Sequence, residues 1–83
     1  MISRANFTET HQSAITETVH TLQKTIDYHL SEHGYYHSSI KTTKNFGVDI
    51  AAMGIVKIVL ENAGWNCEIQ LNHNTQEILV RIY

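Results

Sequence analysis

The apolar positions along this chain change period from one stretch to the next, and those changes lay out its elements. Between Asn6 and His33 the positions Ile15, Val19, Leu22, Ile26 and Leu30 are spaced four, three, four and four apart, which is one face of a helix. Asn6 can cap that helix, Glu9 stands in capping-box position three residues on, and Gly34 occupies the place of a left-handed C′ residue. The first two turns add little to the face beyond Phe7 and Ala14. Thr8, Thr10, Thr16, Thr18, Thr21 and Thr25 lose rotamer freedom in a helix, so this element depends on packing.

The next stretch, Tyr35 to Thr43, is rich in aromatic and β-branched residues and puts Tyr36, Ser38, Ile40 and Thr42 on one face, which predicts an edge strand. Lys44 to Gly47 reads as a turn. A second helix is expected from Val48 or Asp49 to Ala63, stopped by Gly64. Ala52, Ile55, Val56, Val59, Leu60 and Ala63 form a wide apolar face that Val48, Ala51, Met53 and Ile58 extend, leaving only Asp49, Gly54, Lys57 and Glu61 toward water. A helix this apolar is covered on more than one side, here by the sheet and by helix one.

Trp65 to Leu71 then alternates with period two, placing Trp65, Cys67, Ile69 and Leu71 inward. Ile78, Val80 and Ile82 repeat the pattern beyond a turn. A two-residue loop at Asn74-Thr75 pairs Leu71 with Ile78, Ile69 with Val80 and Cys67 with Ile82. The same register sets Glu68 opposite Arg81, an opposite-charge cross-strand pair. The expected fold class is therefore α+β, one domain over 1–83, with two helices packed on a three-stranded, mostly antiparallel sheet in the order α-β-α-β-β.

Lengths add one inference. Helix two would span about 24 Å and a seven-residue strand about 23 Å, whereas helix one would reach about 39 Å. Its C-terminal end feeds the first strand, so residues 1–18 are expected to protrude and either to fray or to pack on another subunit or partner, because an isolated polar helix of that size is marginal in water.

Composition narrows the functional classes. A net charge of −2 supplies no basic field, and Arg4, Lys24, Lys41, Lys44, Lys57 and Arg81 are scattered, which argues against a nucleic-acid or anionic-membrane partner. The single cysteine, Cys67, excludes an internal disulfide and suits a reducing compartment. The first residues lack the apolar run of a secretory signal, and the longest apolar run is too short to span a bilayer. A cytoplasmic or virion location is expected.

Candidate chemistry is sparse. His29 and His33 stand four apart on one helical face and His37 follows the turn, a spacing that could share a metal ion, although the pattern is not that of a zinc protease. The alternative is three half-exposed histidines near a helix end, where the macrodipole favours them. Cys67 reads as a small buried hydrophobe, and Ser38 and Ser39 beside His37 lack a third member or an oxyanion loop. No catalytic residue and no cofactor is expected. The remaining candidates are surfaces for protein partners: His11, Ile15, Val19 and Leu22 on helix one, and Leu79, Arg81 and Tyr83 on the outward face of the sheet.

The string Ala63-Gly64-Trp65-Asn66-Cys67-Glu68-Ile69, followed by Glu77-Ile78-Leu79-Val80-Arg81-Ile82, resembles a group of short tailed-bacteriophage proteins in which a helix ends in an alanine–glycine–aromatic turn and a hairpin closes the chain. The resemblance covers about residues 34–83. It implies a virion-associated or accessory protein without a shared catalytic motif, and carries no functional residue over. The expected function is a non-enzymatic assembly or protein-interaction module that self-associates or docks through helix one. A small inhibitor of a host protein is the alternative, and a metal- or pH-responsive histidine module is the third reading.

Overall fold

The computed structural model describes residues 2–41 and 45–83. The chain runs α1 (Arg4–Thr10), α2 (Gln12–His33), β1 (Tyr36–Lys41), α3 (Phe46–Asn62), β2 (Cys67–Asn72) and β3 (Glu77–Ile82). Helix one is thus two helices. It starts earlier than the sequence suggests, because the Ser3 hydroxyl, not Asn6, caps it by accepting the Asn6 N–H at 3.1 Å. The break at His11 is a kink: His11 N–H still donates to the Phe7 carbonyl and Ile15 N–H to the His11 carbonyl. The Phe7 and His11 rings pack at 4.5 Å across it.

At the other end, Gly34 takes φ 77° and donates to the Leu30 carbonyl, the left-handed stop that glycine makes without strain. Thr42 and Thr43 of the expected strand and Lys44 of the expected turn lie outside the described residues. Asn45 caps α3 by accepting the Val48 N–H at 3.2 Å, so Phe46 and Gly47 belong to the helix rather than to a turn.

The sheet order is β1-β3-β2, fully antiparallel, with the last strand of the chain in the middle. The hairpin register is the expected one, including Glu68 opposite Arg81. The connection is longer than two residues: strands end at the Asn72–Glu77 pair, the Asn72 side chain accepts from the Asn74 and Thr75 amides, and Gln76 takes φ 55°. An Asx turn followed by a left-handed residue keeps the register with a four-residue loop.

Helices lie on one face of the sheet only, α2 toward β1 and α3 toward β2. Ile26 and Leu30 of α2, Met53, Val56 and Leu60 of α3, and Tyr36, Cys67, Ile78, Val80 and Ile82 of the sheet form the main core. Trp65 is half-buried at its edge, not deep within it. A smaller cluster of Ile15, Val48 and Ala52 extends the core along the two helices, with Phe7, Val19, Leu22 and Ala51 packed around it.

That second cluster corrects the expectation for residues 1–18. Ile15 is 3% exposed, covered by α3 of its own chain. Two causes combine. α3 begins at Phe46 and so reaches farther under helix one than expected, and the kink at His11 brings Phe7 over Gly47, where a Cβ would lie 2.9 Å from the ring. α1 itself contains no buried residue and is held through Phe7.

Candidate interaction surface

The candidate histidines His29, His33 and His37 do not form one cluster among the described residues. His29 and His33 stack with ring centroids 5.9 Å apart, and His29 also packs against Tyr36 at 5.1 Å. His37 reaches this series only through Tyr35, at 5.2 Å. The alternation of β1 decides this: Tyr36 points into the core and His37 to the opposite face. Among the described residues no three His, Cys, Asp or Glu side chains are grouped to hold a metal ion.

Cys67 is buried, and burial pushes its thiol up from the ordinary value, with Lys57 opposing. A protonated thiol is a poor nucleophile. A cleft of about 380 Å³ between α2 and α3 contains His11, Glu17 and Asp49 above an apolar floor of Leu22, Val48 and Ile78.

The outward sheet face holds Leu79, Arg81 and Tyr83 as the alternation requires. Its charges are already engaged. Arg81 Nη1 donates to Glu68 Oε1 at 3.3 Å, the Tyr83 hydroxyl donates to Glu68 Oε2 at 2.7 Å, and the Arg81 guanidinium lies 5.8 Å from the Tyr83 ring centre. The bond to Glu68 raises the Tyr83 phenol above its ordinary value. Ser39 donates to Glu77 at 2.7 Å, and that bond, with one from Thr75, holds the Glu77 carboxyl below its ordinary range. Leu79 is the single exposed aliphatic on this polar face.

On helix one the four named residues separate. Ile15 is buried; His11, Val19 and Leu22 are half-buried, with Val19 and Leu22 packed against both core clusters. What the sequence expectation placed on helix one lies instead on α3. At 100° per residue, the buried residues Val48, Ala52, Val56, Leu60 and Met53 occupy one side of α3. The other side carries Ala51, Gly54, Ile55 and Ile58, and Val59 lies at the angle of Val48 and Ala52 but nearer the C-terminal end of the helix; Ile55, Ile58 and Val59 are 43%, 61% and 46% exposed. The sheet and α2 cover two sides of this helix, and a third, equally apolar, faces water. The sequence carries this signal as a wide apolar face, but not which part of that face the sheet and α2 leave open.

Ile55 opens a groove with α1 and the start of α2, lined by Arg4, Ala5, Thr8, Gln12 and Ile15. Helix one therefore contributes its polar flank to this surface, while α3 contributes the apolar part. Among the described residues, no helix is long and apolar enough to cross a membrane. No family model, no curated protein and no solved structure matches this chain.

Proposed function

We propose that this chain is a non-enzymatic assembly protein that associates with copies of itself through the groove between α1 and the exposed stripe of α3. The observation that carries this reading is the row Ile55, Ile58 and Val59, open to solvent on a helix that is mostly apolar. Helices of that composition are normally enclosed, and apolar surface left open on a folded protein marks a site of association. Burying these side chains is worth about 25 cal/mol per Å² of apolar area removed from water. The similarity of the hairpin string to small tailed-bacteriophage proteins fits an assembly role in a virion.

On this reading the docking surface is α3, with α1 as its rim, in place of His11, Ile15, Val19 and Leu22. The experiment is sedimentation equilibrium of the full chain up to about 1 mM, where a weak association with millimolar affinity becomes visible. Assembly is expected, and Ile55→Glu, which puts a charge in the groove without touching the core, reduces its mass. A monomer at that concentration, or an assembly that Ile55→Glu leaves unchanged, overturns the reading. Regulation of a host protein through the sheet face gains nothing from the geometry, since Glu68, Arg81 and Tyr83 bind one another.

A further inference from the structure

The sheet of this protein ends in an open edge at β2, on the side where α3 lies. α2 lies toward β1 and α3 toward β2. On the helix-covered face of this edge Cys67 is buried, Ile69 is half-buried and Leu71 is 39% exposed.

The hydrogen-bond parity of β2 shows what this edge offers. Asn66 and Tyr83 exchange both backbone hydrogen bonds, at 2.8 and 3.0 Å. Antiparallel pairs alternate, so Glu68, Gln70 and Asn72 turn their amides and carbonyls toward β3, while Cys67, Ile69 and Leu71 turn theirs outward. Lys57 Nζ donates to the Cys67 carbonyl at 3.0 Å and occupies that group. The N–H and C=O groups of Ile69 and Leu71 face away from the sheet. β2 carries no proline, no lysine and no bulge, the devices by which edges are usually protected.

We propose that β2 pairs antiparallel with β2 of a second copy of this chain, about a twofold axis through Gln70, giving a continuous six-stranded sheet. This contact rests on the self-association reading and adds to the groove a second, symmetric contact. In this register Ile69 pairs with Leu71 of the second copy and Leu71 with its Ile69, so apolar residues meet on the helix-covered face. Their outward backbone groups form four hydrogen bonds, and the Lys57 contact to Cys67 stays intact. On the opposite face Gln70 meets Gln70, two amides that each donate and accept. Glu68 faces the neutral Asn72, so no like charges are opposed, and it keeps its bonds to Arg81 and Tyr83.

The helix layer closes in the same operation. α3 lies on the β2 side, so α3 and its copy become neighbours across the axis. The flank they turn to each other carries Ile50, Gly54 and Ile58, spaced four apart, beside the Lys57–Glu61 ion pair. Nothing lies within 4 Å of where a Gly54 Cβ would be, so the two helices can approach there. An isologous contact of this kind closes on itself as a dimer.

The test uses Ile55→Glu as background, because it silences the groove on the side of α3 away from the axis. By sedimentation equilibrium this variant is expected to remain a dimer, at twice the 9.5 kDa chain mass. Adding Leu71→Lys, or Leu71→Pro, is expected to weaken that dimer at least about tenfold with an unchanged circular dichroism spectrum, since the Leu71 N–H turns away from β3. Independently of any variant, the Ile69 and Leu71 amides of the native protein should gain protection from hydrogen exchange as concentration rises. If the native chain assembles but Ile55→Glu alone is monomeric at about 1 mM, the pairing is wrong and the groove reading stands. Unprotected Ile69 and Leu71 amides in the assembled protein also overturn the pairing, and a native monomer overturns both.

Discussion

Truncating Ile15 tests whether helix one docks on its own chain. The side chain is 3% exposed and packs with Val48 and Ala52. Ile15→Ala removes three carbons, worth about 2.4 kcal/mol at roughly 0.8 kcal/mol per buried CH₂. The cavity left behind adds to this, but Ile15 borders the groove beneath Ile55, and Phe7 and Leu22 can settle into the space. The expected cost is therefore near the lower end of the aliphatic-to-alanine range, about 2–3 kcal/mol. A chain of 83 residues has about 4–12 kcal/mol in total, so the loss is large. Urea unfolding would be followed by far-ultraviolet circular dichroism, which reports the helices, and by fluorescence of the chain's one tryptophan, Trp65, at the far end of α3. Both transitions should shift together with an unchanged slope, because the two clusters share Val19 and Leu22. A shift below about 0.5 kcal/mol, or a helix signal lost before the Trp65 transition, would refute the docking and restore a free N-terminal half.

Gln76→Gly should stabilise the hairpin by up to about 1 kcal/mol in the same assay, since Gln76 holds a left-handed conformation that costs a non-glycine residue about that much. Gly47→Ala should fail to stabilise the native chain, where the new methyl meets the Phe7 ring at 2.9 Å, yet gain roughly 0.5–1 kcal/mol in a Phe7→Ala background; equal effects in both backgrounds would remove Phe7 from the α3 start. Ser39→Ala removes the bond that chiefly lowers the Glu77 carboxyl. Its titration midpoint, followed by nuclear magnetic resonance, should rise toward the ordinary carboxylate range. With the folded value depressed, Glu77 contributes stability above that range and loses it as pH falls through its lowered midpoint, so Ser39→Ala should flatten the acid limb of stability. Cys67 should resist alkylation in the folded protein at neutral pH and react once it unfolds, because burial both shields the thiol and keeps it protonated.

The sequence by itself determined the local elements and the pairing between neighbours. Helical spacing, the glycines at 34 and 64 and the alternation around Cys67 and Val80 are one-dimensional signals, because capping and strand alternation act within a few residues. The hairpin register could be read because the apolar alternation and the Glu68–Arg81 pair agree on it. The capping of helix one was misread because Ser3 and Asn6 are both suitable caps, and the choice turns on where Phe7 must point to meet Gly47. Tertiary structure alone decided how much of each helix is covered. Ile15 was expected to be free and is enclosed, while Ile55, Ile58 and Val59 were expected to be enclosed and are free. The reason is steric: an apolar pattern shows which side chains favour burial, but the width of the sheet and the angle between helices set which of them this chain can bury.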